Sequence, residues 1–344
     1  MAFAAGRPLN VAVVLGGTSE ERLVSLASGR GVIAALRERG HEVTAIDPAV
    51  GAVPREDEER CLGTGVGEAP PGEADLAELA RTALGPRIAD VPELRAADVV
   101  FLALHGDDGE DGRIQAVLDL AGVPYTGTGC LGSAIAFDKR VSKELMATAG
   151  IPTPAWTPRG ASEDAILRDL GLPLVVKPSN GGSTVGLTVV REAGELGAAL
   201  ALAARYDEDV LAEAFVPGRE LTVTVLEGRA LPVVEIIPGH EIYDYESKYT
   251  PGMSSYEVPA RLDPADAARL AELALATHEV LRQGAYGRVD FRRDERDGTL
   301  HCLETNSLPG LTATSLVPKA AAAAGIGFGE LCERIALAAL RDRT

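Results

Sequence analysis

The stretch between residues 287 and 310 constrains the fold most, because its pattern is that of a β-hairpin carrying ligands for a hard metal ion. Two β-prone runs, Gly287 to Arg293 and Thr299 to Thr305, are joined by a polar turn that contains glycine, which is typical of an antiparallel hairpin. Side chains alternate between the two faces of a strand, so Glu304 and Asn306 point to the same face. The hairpin therefore presents a carboxylate and an amide oxygen side by side.

Whether Asp290 joins this pair depends on the register of the hairpin. A plain two-residue Asp-Gly turn directs Asp290 to the other face, whereas an odd loop length or a β-bulge brings positions 290 and 304 opposite each other. In that register two carboxylates and one amide oxygen converge, which suits Mg²⁺ bridging nucleotide phosphates. An exposed charged hairpin is the alternative, since acidic residues near turns are common.

Length and charge limit the class of protein. The 344 residues predict two or three domains with real cores. A net charge of −18 argues against non-specific binding to nucleic acid or to anionic membranes, so any phosphate site has to be a local cluster of cations.

Targeting signals and cysteine spacing point to the cytoplasm. The residues Met1 to Asn10 are too short and too weakly apolar for a signal peptide, and the apolar runs that follow are shorter than a membrane span. The four cysteines lack C-x-x-C spacing, so we expect neither a structural zinc nor a disulfide framework. We therefore expect a cytoplasmic protein that binds neither nucleic acid nor membrane.

The amino-terminal part has a β-α-β pattern. An apolar run from Asn10 to Leu15 ends in Gly16-Gly17-Thr18-Ser19 and is followed by a helical pattern and a second strand, Glu42 to Asp47. The dinucleotide fingerprint G-x-G-x-x-G is absent. His105 follows another buried strand, at the edge where ligands bind in such sheets, so it is a candidate site residue. A histidine that only caps or hydrogen-bonds is the alternative.

The middle of the chain combines a long helix with a glycine-rich hairpin. The pattern predicts one helix from Leu131 to Ala149 with mostly solvated charges, and strands on both sides of the loop Pro178 to Gly186. The backbone N–H groups of such a loop can cover a phosphate, although an ordinary flexible hairpin is the alternative. Lys177 and Glu213 lie on strands that could pair around a planar ligand. The segment 239–260 is predicted to be a lid, with plain disorder as the alternative.

Five separated segments match one pattern in the right order, and this pattern resembles the ATP-grasp fold, in which ATP lies between two small α+β lobes. The segments are a strand with Lys177-Pro178 and its Gly/Ser loop, Glu213-Ala214-Phe215-Val216, Glu220, Arg288-x-Asp290, and Glu304-x-Asn306. Further segments resemble the D-alanine–D-alanine ligase family. They are Gly16 to Arg22 with Val24-Ser25-Leu26, Leu104-His105-Gly106 with Gly109 to Gly112, Val123 to Gly127, Tyr243 to Tyr249, and Pro309-Gly310 with Ser315 to Pro318.

The resemblance implies a mixed α/β and α+β architecture. A Rossmann-like preATP-grasp domain with the β-α-β start would cover residues 1–129. The two lobes of an ATP-grasp domain would cover residues 130–217 and 218–344, with the lid loop at 239–260.

The resemblance also implies a reaction. ATP phosphorylates the carboxylate of one D-alanine, and the amine of a second attacks the resulting D-alanyl phosphate, giving D-alanyl-D-alanine for peptidoglycan precursors. The expected partners are ATP, D-alanine and a second copy of the chain in a homodimer, with two Mg²⁺ or Mn²⁺ ions as cofactors.

Each step is assigned to residues through the same resemblance. The ATP-binding residues would be Lys139, Lys177, Ser183, Glu213, Ala214, Phe215, Val216, Glu220 and Lys248. The metal ligands would be Asp290, Glu304 and Asn306. The substrate-binding residues would be Glu21, His105, Arg288, Gly310, Ser315 and Leu316. The catalytic residues would be Glu21, Ser183, Tyr249, Arg288 and Ser315.

Two other functions compete with this one. Another second substrate, such as D-serine or D-lactate, would keep the mechanism, but a tyrosine at position 249 resembles the dipeptide-forming members. A nucleotide-binding regulator on the same scaffold is possible in principle, because fold does not fix function. The intact set of metal ligands and the presence of Arg288 and Lys177 argue against a protein that binds without turnover.

Overall fold

A computed structural model of the chain describes residues 7–63, 71–182, 184–238 and 253–341, and in these ranges the strands form three sheets. The strands are β1 (Asn10–Val14), β2 (Glu42–Asp47), β3 (Gly51–Val53), β4 (Val99–Leu102), β5 (Leu174–Pro178), β6 (Thr188–Val190), β7 (Val210–Ala214), β8 (Gly218–Leu226), β9 (Arg229–Ala230), β10 (Val234–Pro238), β11 (Ser254–Glu257), β12 (Tyr286–Asp294) and β13 (Leu300–Asn306).

The helices of the described ranges surround these sheets. They are α1 (Arg22–Glu38), α2 (Glu58–Leu62), α3 (Glu73–Thr82), α4 (Pro92–Arg95), α5 (Arg113–Ala121), α6 (Cys130–Phe137), α7 (Lys139–Thr148), α8 (Glu163–Leu170), α9 (Leu196–Ala203), α10 (Pro264–Val280), α11 (Leu316–Ala323) and α12 (Phe328–Arg341). Short 3₁₀ turns lie at Arg55–Asp57, Gly85–Asp90, Asp107–Gly109 and Ala193–Glu195.

The amino-terminal sheet has the order β3-β2-β1-β4, and β1 runs parallel to both of its neighbours. All four residues of β4 are buried, as expected for a parallel strand covered on both faces. Helices α1 and α12 pack together beside this sheet, and Leu331 and Ile335 of α12 share its apolar core. The predicted β-α-β start is confirmed, and the two ends of the chain meet in one core.

Two antiparallel sheets follow and form the walls of a cleft. The smaller has the order β6-β5-β7, with a core that includes Ile166 of α8 and Leu196 of α9. The larger has the order β11-β10-β8-β12-β13, with β9 attached to β8, and it packs on α10 through residues such as Leu273 and Phe291. This architecture confirms the expected fold class of a β-α-β domain followed by two α+β lobes.

The prediction of one helix from Leu131 to Ala149 is wrong, because the helix is interrupted at Asp138, which separates α6 from α7. Asp138 has an extended backbone, and its carboxylate accepts a hydrogen bond from Val141 N at 3.0 Å, which caps α7. The expected solvation of the charges on this helix is also wrong. Arg140 is 8% exposed and Lys143 is fully buried, because both have partners inside the protein.

The segment 239–260, predicted as a lid loop, falls partly outside the described residues. Its described end contains β11, which pairs antiparallel with β10 at the edge of the larger sheet. This part of the segment is therefore a strand. The division into domains at residues 129 and 217 stays a prediction. Among the residues that the structure describes, no helix is both long enough and apolar enough to cross a bilayer.

Candidate active site

The hairpin of β12 and β13 places its polar side chains on one face. Asp290 lies opposite Glu304, and Arg288 lies opposite Asn306. The register then shifts, so that Phe291 lies opposite Cys302 and Leu303 becomes the extra residue of a β-bulge. The structure thus has the register in which Asp290 joins the other two oxygen ligands, and a bulge provides it.

The carboxylate of Asp290 is buried and fully engaged. Arg288 donates to it from Nε at 2.9 Å and from Nη2 at 2.8 Å. Thr222 on β8 donates from Oγ1 at 2.6 Å, and the side-chain amide of Asn306 donates at 3.0 Å. Two carboxylates and an amide oxygen fit a hard divalent cation. In the structure the Asp290 carboxylate already has a cationic partner, the guanidinium of Arg288.

A cleft between the two antiparallel sheets runs from this hairpin to the strand β7. Its walls include Val175 and Lys177 on β5, and Leu303 of the bulge lies on the opposite side. The predicted nucleotide residues that line it are Lys139, Lys177, Glu213, Ala214, Phe215, Val216 and Glu220.

A buried ion cluster stands at the back of this cleft. The ammonium groups of Lys177 and Lys143 each contact one oxygen of Glu213, at 2.5 and 2.8 Å. Lys143 also donates to Pro154 O at 2.9 Å and lies 5.3 Å from the ring centre of Trp156. Burial raises the pKa of Glu213, but the two ammonium groups outweigh burial and lower it to about 2. Glu213 is therefore a carboxylate at neutral pH.

Lys139 lies where this cleft meets a second cavity. Its Nζ donates to Gly181 O at 2.5 Å and lies 3.8 Å from Glu304 Oε2. Burial lowers the pKa of Lys139, and the nearby Glu304 carboxylate opposes this shift without cancelling it. The lysine thus joins the glycine-rich loop to the carboxylate-bearing hairpin.

The second cavity opens on the other side of Arg288 and Glu304. The predicted substrate residues that line it are Glu21, His105, Arg288, Gly310, Ser315 and Leu316. The Glu21 carboxylate lies between two glycines, since a Cβ added at Gly106 or at Gly182 would come within 3.2 or 3.4 Å of Oε2. Glu21 thus lines the cavity with glycine backbone close to its carboxylate on both sides.

The loop before α11 closes this cavity. Ser315 Oγ lies 2.8 Å from Thr312 Oγ1 and accepts a hydrogen bond from Thr312 N at 3.0 Å. A Cβ at Gly310 would lie only 2.8 Å from the same Oγ, so a side chain here would displace the Ser315 hydroxyl. The backbone of Gly310 and the hydroxyl of Ser315 are thereby held side by side.

His105 lines the cavity, but its ring nitrogens bind protein groups. Nδ1 lies 3.0 Å from Leu308 O, and Nε2 lies 3.0 Å from Ser28 Oγ on α1. The predicted contact of His105 with a substrate stays a prediction.

The cleft and the second cavity share part of their walls. Lys139, Gly181, Gly182, Arg288 and Glu304 line both. A ligand in the cleft and a ligand in the cavity would therefore meet at these residues.

Three predicted site residues, Ser183, Lys248 and Tyr249, lie outside the described residues. All the other predicted site residues lie around the cleft and the cavity, with Asn306 lining the cavity and Asp290 the cleft. Their individual roles stay predictions.

Sequence reasoning missed several residues of this region. Thr222 lies among buried apolar residues on β8, and this pattern predicts only a strand. Nothing in it indicates the hydrogen bond from Thr222 to Asp290. Arg292 donates to Val216 O at 3.0 Å and lies 5.3 Å from the ring centre of Phe215. Its position two residues after Asp290 places it on the same face of β12, which strand alternation predicts.

A glycine-rich loop, a lysine pair and a carboxylate-bearing hairpin, set across a cleft between two antiparallel sheets, define an ATP-grasp protein. Residues 10–128 match the family model described as D-ala D-ala ligase N-terminus, and residues 145–336 match D-ala D-ala ligase C-terminus. The chain therefore belongs to the D-alanine–D-alanine ligase family.

Individual relatives match the sequence of this chain over nearly its whole length. The chain is 44% identical to the D-alanine–D-alanine ligase of Gloeobacter violaceus over 335 residues, which cover 95% of this chain and 98% of the relative. It is 44% identical to the enzyme of the same name from Anaeromyxobacter sp. strain Fw109-5, over 94% of this chain and 95% of the relative.

Solved structures of the family are similar as well. The crystal structure of D-alanine–D-alanine ligase from Bacillus anthracis complexed with ATP superposes with a TM-score of 0.75 at 32% identity, covering 98% of this chain and 99% of that one.

Proposed function

We propose that this chain ligates two molecules of D-alanine to D-alanyl-D-alanine at the expense of ATP, which becomes ADP and phosphate, for peptidoglycan precursor synthesis. The observation that carries the proposal is the shared wall of the two cavities at Lys139, Arg288 and Glu304. A nucleotide in the cleft would direct its outer phosphate towards an amino acid in the cavity. Family membership and the names of the relatives support the same reaction.

The cleft would bind ATP along its length. Adenine would lie against the backbone of Ala214 to Val216, and the ribose would reach Glu220, whose carboxylate lies 3.4 Å from Arg292 Nη2. Lys177 would turn from Glu213 to the phosphates, joined by Lys139 and by the N–H groups of the glycine-rich loop. Charge neutralisation by such cations is the main protein contribution to phosphoryl transfer.

Asp290, Glu304 and Asn306 would hold Mg²⁺ or Mn²⁺ at the outer phosphates. When bound, the ions neutralise charge on the transferred phosphoryl group. Arg288 would leave Asp290 as the ions bind and would become available to the substrates.

The first D-alanine would bind in the second cavity. Its ammonium group would face the Glu21 carboxylate, and its carboxylate oxygen would attack the terminal phosphorus of ATP to give D-alanyl phosphate and ADP. Enclosure of this cavity would protect the acyl phosphate from water.

The second D-alanine would attack the acyl carbon through its amine. The oxygen of the tetrahedral intermediate would accept hydrogen bonds from Arg288 and from the Gly310 N–H, and phosphate would then leave. Ser315 and Leu316 would hold the carboxylate of the second substrate through the hydroxyl group and the start of α11. By the resemblance, Lys248 would bind the phosphates of ATP, and Ser183 and Tyr249 would act in catalysis.

We also propose that the chain is cytoplasmic and forms a homodimer. The four cysteines have no disulfide partners in the described residues, which suits a reducing compartment. Leu120 and Leu131 expose 91% and 57% of their surface, and a partner subunit would cover such side chains.

The test is ligation by the purified chain with ATP and Mg²⁺. D-Alanine should give the dipeptide and one ADP per dipeptide, whereas L-alanine should give neither. D-Serine and D-lactate offered with D-alanine test the second pocket, and a strong preference for D-lactate at neutral pH would contradict dipeptide synthesis. Glu304→Gln should abolish most of the phosphate release, and normal release by this variant would favour a regulator over an enzyme.

A further inference from the structure

The loop from Leu308 to Leu311, which carries the Gly310 amide, is held from behind by two side chains of the amino-terminal part of the chain. His105 contacts the Leu308 carbonyl through Nδ1 at 3.0 Å and contacts Ser28 Oγ through Nε2 at 3.0 Å. The N–H of Leu311 donates to the same Ser28 Oγ at 3.2 Å. This relay of hydrogen bonds, formed by Ser28 and His105, therefore holds the loop on both sides of Pro309 and Gly310.

The proton positions in this relay follow from the chemistry of its ends. The Leu308 carbonyl only accepts, so Nδ1 of His105 carries the hydrogen of this bond. Glu110 Oε1 lies 3.8 Å from the same nitrogen. In the tautomer that carries only the Nδ1 hydrogen, Nε2 accepts the hydroxyl hydrogen of Ser28. The oxygen of Ser28 keeps a lone pair for the Leu311 N–H. This arrangement of protons satisfies every group in the relay.

The relay is shielded from water, which makes its geometry stringent. Ser28 is fully buried, and His105, Leu308 and Leu311 are 5%, 2% and 2% exposed. A buried donor or acceptor that loses its partner has no water to replace it, so the loop is held in the position that satisfies all three bonds.

We propose that Ser28 is a positioning residue that acts with His105 to direct the Gly310 N–H at the oxygen of the tetrahedral intermediate. The two peptide groups that flank Pro309 and Gly310 are fixed by the relay, and the Gly310 backbone is packed against Ser315 Oγ. A donor for a developing negative charge is effective only where it is aligned in advance. This inference deepens the proposed function and rests on it.

The test is Ser28→Ala, analysed by rapid quench in a single turnover. A misplaced Gly310 donor should slow the attack of the second amine more than the phosphorylation of the first carboxylate. We expect dipeptide formation to fall roughly tenfold to a hundredfold, below the loss seen when an oxyanion donor is removed outright. ADP formation and KM for ATP should stay within about twofold to threefold of the wild type, because these report earlier steps.

The matched control is Ser133→Ala. Ser133 is a fully buried helical serine like Ser28, but its hydroxyl donates to Thr128 O at 3.2 Å, outside the loop. Its variant should lose comparable stability and keep the ratio of the two rates. Equal losses of ADP and dipeptide formation in Ser28→Ala, or no loss in either, would overturn the positioning role.

A double-mutant cycle with His105→Asn tests the link between the two residues. The asparagine amide can still donate to Leu308 O but does not reach Ser28. If the residues act as one relay, the double variant should form dipeptide no more slowly than the worse single variant. Losses that simply multiply would show independent roles and overturn the relay.

Amide hydrogen exchange separates failure of this inference from failure of the proposed function. If the wild-type chain forms no dipeptide, the proposed function is wrong and exchange at Leu311 decides the relay. Faster exchange at Leu311 in Ser28→Ala than in Ser133→Ala supports the relay, and equal exchange overturns it.

Discussion

Arg288 donates two hydrogen bonds to the carboxylate of Asp290, from Nε at 2.9 Å and from Nη2 at 2.8 Å. The two residues lie two positions apart on one strand, so their side chains share a face, and both line the cleft. The guanidinium therefore neutralises a carboxylate that the proposed reaction assigns to a metal ion.

This pair predicts competition between Arg288 and divalent ions. Arg288→Met should bind Mn²⁺ in the absence of nucleotide more tightly than the wild-type chain, because Asp290 loses the cation that now occupies it. The same variant should lose ligation by roughly a hundredfold or more, since an oxyanion donor is removed. Titration of free Mn²⁺ by electron paramagnetic resonance measures the first effect. Unchanged Mn²⁺ affinity would contradict the competition.

The ion cluster of Lys143, Lys177 and Glu213 predicts a large effect on stability. Glu213→Gln leaves two buried ammonium groups without a counter-charge, and loss of one partner in a buried pair costs about 3–5 kcal/mol. Urea unfolding at neutral pH measures the change. Adding Lys143→Met to Glu213→Gln removes one uncompensated charge and should recover part of the lost stability. A double variant less stable than Glu213→Gln would show that packing of the Lys143 chain outweighs its charge.

His278 on α10 predicts a loss of stability in mild acid. Burial lowers the pKa of His278 to about 4, below the value of about 6.5 for an unfolded histidine. The unfolded chain binds the proton more readily, so this group destabilises the fold as pH falls from about 6.5 towards 4, by at most about 1.4 kcal/mol per pH unit. His278→Gln should flatten the dependence of the unfolding free energy on pH in this window. An unchanged slope would place the acid sensitivity in other groups.

The sequence predicted the hairpin and the common face of Glu304 and Asn306, because strand alternation is a local property. Positions 304 and 306 had to share a face, and only the position of Asp290 was left open. The bulge at Leu303 decides it, and a bulge depends on how the strand packs against the rest of the sheet.

The break between α6 and α7 has a local signal in the sequence, the capping residue Asp138. Asp138 precedes Lys139 as a capping residue precedes a helix, but the continuous helical pattern around it concealed the boundary. The burial of Lys143 could not be read from the sequence, because its partner Glu213 is distant along the chain. In the relay, His105 lies 77 residues from Ser28 and 203 residues from Leu308 along the chain. No periodic sequence pattern encodes such distant contacts.

The most direct test of the proposed chemistry follows the carboxylate oxygens of D-alanine. The chain is incubated with ATP, Mg²⁺ and D-alanine labelled with ¹⁸O in its carboxylate, and the released phosphate is analysed by mass spectrometry. If the first substrate meets the outer phosphate at Arg288 and Glu304, each phosphate released with dipeptide should carry one ¹⁸O atom. Phosphate without label, or label found in AMP, would contradict the account.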